Sequence, residues 1–230
     1  VWWDSPWGRG RPGWHIECSA MSMRYLGKTF DIHTGGADNK FPHHEDEIAQ
    51  SEAANGCTFV NYWLHCAHLI VEGQKMSKSL GNFYTLRDVL DEGHTGREVR
   101  WVLMGTHYRQ QLNFSFQACR DARAALQRLD DFVLSLKNAE QDGESGDVRD
   151  EVRDATEQAE TEFRNGLEDD LNISAALAGV FGLVRDGNKL LTGGGMRSAD
   201  ATAMLDTLRS FDTVLGAIEI DREEEVPQSV

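Results

Sequence analysis

Hydrophobic and polar positions change their period several times along the first 114 residues, and settle into one period afterwards. Apolar residues recur at three- and four-residue steps through WHIECSAMSMRYL, which follows Pro12-Gly13 and stops at Gly27, so a helix is predicted there. TFDIH, from Thr29 to His33, is short and rich in β-formers, and Gly35-Gly36 ends it as a strand. Pro42 suits a first helical turn and is expected to open a second helix through HHEDEIAQSEAAN. Tyr62 to Ile70 is a strand candidate leading into the glycine-flanked stretch GQKMSKSLGN. Thr85 is placed to cap a helix over LRDVLDEG, and REVRWVLMGTHY predicts another. Strands alternating with helices point to an α/β fold with a parallel sheet.

From Ser115 the pattern is helical almost throughout. Ser115 is placed to cap FQACRDARAALQRLDDFVLSL, and Gln141 to Gly146 forms a polar break. A second long helix is expected from about Val148 to Leu167. Asn172 or Ser174 opens a third, AALAGVFGLVRDGNKLL, and residues 192–195 read as a loop. Ser198 is expected to cap a fourth helix ending near Ile218. Four amphipathic helices with short connections predict a bundle. The expected division is therefore 1–114 for the α/β part, 115–220 for the bundle and 221–230 for an acidic, frayed tail.

Bulk composition narrows the classes. No run approaches the roughly 18 apolar residues of a membrane helix, so no membrane partner is expected. The start, VWWDSPWGRGRPG, lacks a basic stretch followed by an apolar one, so no secretion leader is expected. Cys18, Cys57, Cys66 and Cys119 fall at irregular spacings without a CxxC pair, which predicts reduced thiols and a cytoplasmic setting. The 230 residues carry 23 basic and 38 acidic side chains, net −15. The imbalance lies mostly beyond Phe114, where 12 basic face 25 acidic residues, against 11 and 13 before it. An acidic balance ordinarily argues against a nucleic-acid partner. With 6 Lys against 17 Arg, it equally fits a protein kept soluble in concentrated salt, where self-repulsion is screened. An acidic mesophilic surface is the alternative.

Two constellations carry candidate chemistry. Lys75 and Lys78, on a glycine-bounded loop after a strand, suit neutralising a triphosphate as charge develops on it; two surface lysines on a solvated turn are the plain alternative. His43 and Glu47 lie four apart on a predicted helix and so share a face. With Cys18 they offer thiolate, imidazole and carboxylate, a suitable zinc set that leaves coordination open. An i, i+4 His–Glu pair is also what a solvated acidic helix face contains. Trp2, Trp3 and Trp7 make either a stacking surface or a packing face. Arg120, Arg123 and Arg128 either touch a nucleic-acid stem or pair with acids such as Asp130 and Asp131. His15, His65 and His68 read as hydrogen-bonded core or rim residues.

Taken in order, GRPGWHIECSAM, FDIHTGGADNKFPHHEDEIAQ, VNYWLHCAHLIVEGQKMSKSLGNF and HYRQQLNFS resemble the cysteinyl-tRNA synthetase family of class I aminoacyl-tRNA synthetases. DARAALQRL and LEDDLNISAAL resemble its DALR-type helical domain. The resemblance implies the C-terminal part of a Rossmann-like catalytic domain followed by the bundle, and a ligase that joins L-cysteine to tRNA(Cys) through a cysteinyl-adenylate. It implies Zn²⁺ on Cys18, His43 and Glu47, with ATP and Mg²⁺ as further cofactors and a monomeric parent. Lys75 to Ser79 would be the ATP loop, with Lys75 and Lys78 catalytic and Lys78 nearest the phosphates. His33, Gly35, Gly36 and Asp38 would meet the amino acid and the adenosine ribose, and Trp14 would wall the amino-acid pocket.

Departures from that pattern shape the expectation. The HIGH-like first signature and a further upstream zinc cysteine are not in these residues, and position 34 is Thr where Gly is usual. A central fragment, inactive by itself, is therefore expected. The rivals are a paralogous ligase that joins activated cysteine to an amino-sugar in thiol biosynthesis, and a non-catalytic tRNA-binding module.

Overall fold

The computed structural model describes residues 2–193 and 195–220; Gly194 of the expected loop and the expected tail from Asp221 lie outside them. Contacts divide the chain into two compact units, one running to His68 and joined by Tyr108–Gln111, the other containing Leu69–His107 and everything from Leu112. The boundary near residue 115 is thus one of composition. The stretch Leu69–His107, which precedes it, groups with the helices.

The first unit opens with an antiparallel hairpin, β1 (Trp3–Ser5) and β2 (Gly8–Gly10). Helix α1 spans Trp14–Leu26 and ends at Gly27, as the pattern predicts. Strand β3 is Phe30–Gly36, three residues longer past His33 than TFDIH suggests and running through the glycines expected to end it, because its last residues still pair with β4. A short 3-10 turn at Ala37–Lys40 leads to α2, His43–Asn55. Strand β4, Val60–Cys66, returns parallel to β3 with Ile32 opposite Tyr62 and Gly36 opposite Cys66. This is a β-helix-β crossover, and α1 packs on α2.

The single strand expected from Tyr62 to Ile70 is instead two strands. β3 runs out at Gly36, so β4 has no partner beyond Cys66. Ala67 then donates its N–H to the Tyr108 carbonyl (2.8 Å).

In the second unit β5 (Ile70–Val71) is the middle strand of a small sheet. It is antiparallel to β6 (Gln74–Lys75) and parallel to β7 (Asn113–Phe114). Helices α3 (Leu86–Asp91) and α4 (Gly96–Met104) each start with a capping box, Thr85 with Asp88 and Thr95 with Glu98. α4 stops at Gly105, before the THY once included with it. Ser115 caps α5 (Phe116–Asp142), and Asn172 rather than Ser174 caps α7 (Ile173–Thr192). α6 is Asp150–Glu168. α8, Ser198–Leu215, begins at Ser198 instead of being capped by it. It ends at Gly216 in the left-handed region, where Asp212 Oδ1 accepts the N–H of Ala217 and Ile218. α6 lies against α7 and α5 against α8, giving the expected bundle.

The bundle core follows from the periodicity. α5 buries Cys119, Ala122, Leu126, Leu129, Phe132, Val133 and Leu136, all on one stripe. Met204, Leu205, Leu208 and Phe211 of α8 complete the interior. At one end Asp200 is fully buried and accepts the Arg149 N–H (2.8 Å), Arg149 Nε (2.7 Å) and the Arg197 N–H (3.1 Å). Burial alone would push its carboxyl up; these donors overcome that and hold it below the usual range.

Candidate metal centre and lysine loop

The first unit buries little that is apolar. Besides Phe59 and Val60, its interior holds Ser19, His43, His44, Glu47 and Ser51. The reason is helical spacing. Trp14, His15 and Cys18 fall on one face of α1, and His43, Asp46 and Glu47 on one face of α2. Packing α1 on α2 brings these faces together.

Candidate ligand atoms of Cys18, His43 and Glu47 all lie within 4.8 Å of one another. Behind them the hydrogen-bond partners order the imidazoles. His15 Nε2 is 3.4 Å from Asp46 Oδ2, and His15 Nδ1 is 2.6 Å from His43 Nδ1. With Asp46 favouring a proton on His15 Nε2, His15 Nδ1 is the acceptor and His43 carries its proton on Nδ1. That leaves the lone pair of His43 Nε2 facing Glu47 Oε1 at 3.0 Å. His33 Nε2 is 2.6 Å from the other carboxylate oxygen, Glu47 Oε2. Trp14 stacks on His43, centroids 3.9 Å apart at 21°, while remaining 56 % exposed.

Three observations bear on a cation here. Glu47 is 0 % exposed, yet its Oε1 has no hydrogen-bond donor despite the nearby imidazole nitrogen. A buried carboxylate oxygen without a partner is costly, and a metal ion is one of the few groups that repays it. The Cys18 thiol is pushed up by burial and then by the Glu47 charge, so a thiolate there lacks a positive neighbour. The donor set itself, sulfur, imidazole and carboxylate, is one that zinc accepts in a three-ligand open site. The residues fit the metal that the sequence pattern implies.

His33, His44 and Glu47 form a second close group among the described residues. His44 Nδ1 is 2.8 Å from His65 Nε2. Burial, then the neighbouring His33, pushes His44 down to about 4; burial and Lys40 push His65 down as well. Both are neutral near pH 7, with His44 beside Glu47 and His65 behind His44. At the C-terminal end of β3 the two glycines leave room. A Cβ on Gly35 would sit 2.6 Å from His44 Cε1, and one on Gly36 would run into the Asp38 carboxylate. Asp38 is exposed, with His68 Nε2 at 3.7 Å. Such strand ends are where α/β sheets bind ligands.

Among residues that the sequence pattern put forward, Cys18, His43, Glu47, His33 and Trp14 therefore share one neighbourhood, with Gly35 adjoining it through His44. Sequence reasoning passed over Asp46 and His44, and read His15 and His65 only as hydrogen-bonded core or rim residues, which their contacts with His43 and His44 bear out. The available signal was the i, i+3 spacing of His15 to Cys18 and of His43 to Asp46, beside the His43-His44 pair.

The lysine loop belongs to the second unit. Its hairpin turn has Glu72 (φ 48°) and Gly73 (φ 75°) both left-handed, as a two-residue turn of this twist requires. Lys75 and Lys78 are exposed, and among the described residues neither has a carboxylate within ion-pair distance. Lys78 Nζ lies 5.3 Å from the Phe83 ring centroid. Arg123, by contrast, is committed: Nε to Glu98 Oε1 at 2.7 Å and Nη2 to the Gly93 carbonyl. Arg128 stacks on Phe181. The arginine series of the bundle is internally engaged, at least in these two members.

Comparison with known proteins fits this arrangement. Residues 1–124 match the family described as tRNA synthetases class I (C) catalytic domain, and residues 162–219 match the DALR domain. The chain belongs to the class I tRNA synthetase family defined by that catalytic domain. Its curated relatives carry the particular name cysteine–tRNA ligase. That of Protochlamydia amoebophila (strain UWE25) is 51 % identical over 228 residues, 99 % of this chain and 47 % of the relative. That of Chlamydia pneumoniae is 49 % identical over 230 residues, 100 % of this chain and 48 % of the relative. That of Brachyspira hyodysenteriae (strain ATCC 49526 / WA1) is 55 % identical over 188 residues, 82 % and 40 %. The chain thus spans about half the length of the curated relatives it matches. The LeuRS of Agrobacterium radiobacter K84 agnB2, in ternary complex with tRNA and LeuAMS, superposes with a TM-score of 0.74 over 94 % of this chain and 32 % of its own, at 15 % identity, which shows a shared fold.

Proposed function

We propose that this chain supplies the cysteine-recognising and nucleotide-closing parts of an ATP-dependent cysteine–tRNA ligase. The observation that carries the reading is the buried, unpartnered Glu47 Oε1 beside Cys18 and His43. Those three residues would hold Zn²⁺, which when bound supplies a soft Lewis acid that favours a thiolate over an alcohol and so separates cysteine from serine. Asp46 and His15 keep His43 in the tautomer that presents Nε2. His33 holds Glu47 Oε2 so that Oε1 stays directed at the site. Trp14, stacked on His43, forms an apolar wall for a small side chain.

The activation step needs no protein nucleophile. The cysteine carboxylate attacks the α-phosphorus of ATP, the bond from that phosphorus to its bridging oxygen breaks, and pyrophosphate leaves; a hydroxyl of the terminal ribose of tRNA(Cys) then attacks the cysteinyl carbonyl, and AMP leaves. Lys75 and Lys78, cationic and without carboxylate partners among the described residues, suit neutralising the charge that builds on the phosphates, with Mg²⁺ arriving on the nucleotide. The Gly35-Gly36 strand end and Asp38 suit the adenosine ribose. A cytoplasmic setting and a salt-adapted surface complete the reading; no helix among the described residues is long and apolar enough to cross a membrane.

The test is cysteine-dependent ATP–pyrophosphate exchange by the full-length gene product, followed by charging of tRNA. Lys78→Ala is expected to lower exchange by about 100-fold, the scale of one electrostatic contact to a transition state. Exchange at the normal rate in that variant, or transfer of cysteine to an amino-sugar instead of tRNA, would overturn the proposal.

A further inference from the structure

We propose that Asn82 is the positioning residue of the lysine loop: strand pairing with Ile70 holds Lys75, and the Asn82 side-chain amide sets where the chain beyond it, and so Lys78, stands. This rests on the reading of the loop as the triphosphate site. The hairpin reaches no further: β5 and β6 are two residues each. Its turn is tied down by Asn113, whose Oδ1 accepts the Gly73 N–H (2.8 Å), but nothing there fixes the chain beyond Lys75.

Asn82 does. Its Oδ1 accepts the Ser77 N–H at 2.8 Å, and its Nδ2 donates to the Lys75 carbonyl at 3.1 Å, with a longer contact to the Val71 carbonyl at 3.4 Å. One amide therefore grips the backbone on both sides of Met76, which with Ser77 separates the two lysines. Met76 is partly buried against the core, while Lys75 and Lys78 are exposed. The chain after Ser77 is shaped to bring Asn82 back: Lys78–Leu80 is a single 3-10 turn with Ser77 Oγ as its cap, and Gly81 takes the left-handed conformation (φ 69°) that reverses the chain. The partners also settle the amide's orientation, since Ser77 offers a donor and the two carbonyls only accept. Asparagine meets that demand; aspartate has the same shape but would set a carboxylate oxygen against two carbonyls.

That difference makes the test. In the full-length gene product, Asn82→Asp and Asn82→Ala are expected to lower the kcat of ATP–pyrophosphate exchange by about 100-fold, the loss that follows from about 1 Å of misplacement. The KM for ATP should move less than about threefold, because Lys75 and Lys78 remain present to bind. Trypsin should cut after Lys75 and Lys78 about tenfold faster, as a loop released from its pin opens more often. Asn82→Asp keeps the volume and one acceptor, so it serves if Asn82→Ala fails to fold. Normal exchange and normal cleavage in Asn82→Asp would overturn the inference. Should Lys78→Ala retain full exchange, the triphosphate reading fails by itself, and the cleavage rates still decide whether Asn82 pins the loop.

Discussion

The two units are stabilised by opposite means. The helical unit excludes water with Leu129, Phe132, Met204, Leu208 and Phe211, and its buried carboxylates are answered by donors, Asp200 by Arg149 and two backbone N–H groups and Glu98 by Arg123, although Arg149 Nη2 is itself left without a partner. The first unit surrounds a fully buried carboxylate with imidazoles and a thiol, and leaves one oxygen unanswered. An apolar interior stabilises a fold and performs no chemistry. A polar interior with an open valence stabilises poorly by itself and is arranged for something to bind. The chain thus separates into a part that stands by packing and a part whose polar interior is built around an unanswered carboxylate oxygen.

Breaking the polar side should have the largest effect. Cys18→Ala or Glu47→Gln is expected to take zinc from about one ion per molecule to near none, measured by elemental analysis of the purified full-length protein. Retention of the ion in both variants would end the contrast drawn above. On the apolar side, Phe132→Ala should cost about 3–5 kcal/mol, seen in denaturant unfolding of the bundle, with zinc content unchanged.

The Asp200 cluster tests whether the helical unit's buried charge is structural. Asp200→Asn should cost about 3 kcal/mol by leaving Arg149 without its partner. The folded carboxyl titrates below its ordinary value, so its stabilisation is present above about pH 4, the unfolded range, and is lost as pH falls through the folded value. Melting temperatures recorded from pH 6 to pH 2 should fall in the parent and fall less steeply in Asp200→Asn. Equal slopes would remove Asp200 from the account.

The smallest expected effect sharpens the polar side. His15→Ala removes no ligand, only the group that holds His43 through its Nδ1. Zinc affinity should drop by about 10–100-fold in competition with a chelator, and the visible spectrum of the cobalt-substituted protein should shift. An unchanged affinity and spectrum would make the His15–Asp46 pair ordinary surface polarity.

What the sequence made legible follows the same divide. Periodicity placed α5 to α8 to within a few residues, because one apolar stripe per helix is a strong, local signal. Ser115, Thr85 and Asn172 were readable as caps for the same reason. The strand expected from Tyr62 to Ile70 was misread as continuous, since only the end of β3 at Gly36 tells β4 to stop, and that information is 30 residues away in Cys66's partner. In the centre, Cys18, His43 and Glu47 were visible as ligand types at helical spacing. His15 was legible only as a hydrogen-bonded residue, and Asp46 and His44 not at all, because a histidine's role depends on which ring nitrogen faces which neighbour. Asn82 was hidden for a related reason: a loop asparagine declares nothing until the carbonyls it grips are seen.

The first unit is discontinuous, and that has a consequence for its synthesis. Tyr108–Gln111 belongs to it, and the Tyr108 carbonyl receives the Ala67 N–H. A ribosome therefore cannot deliver this unit complete until residue 111 has left the exit tunnel, after the lysine loop and α4 have already emerged. Cutting the gene at His68 would likewise yield a piece missing its own closing segment, whereas inserting a reporter within 69–107 would leave both segments of that closure encoded.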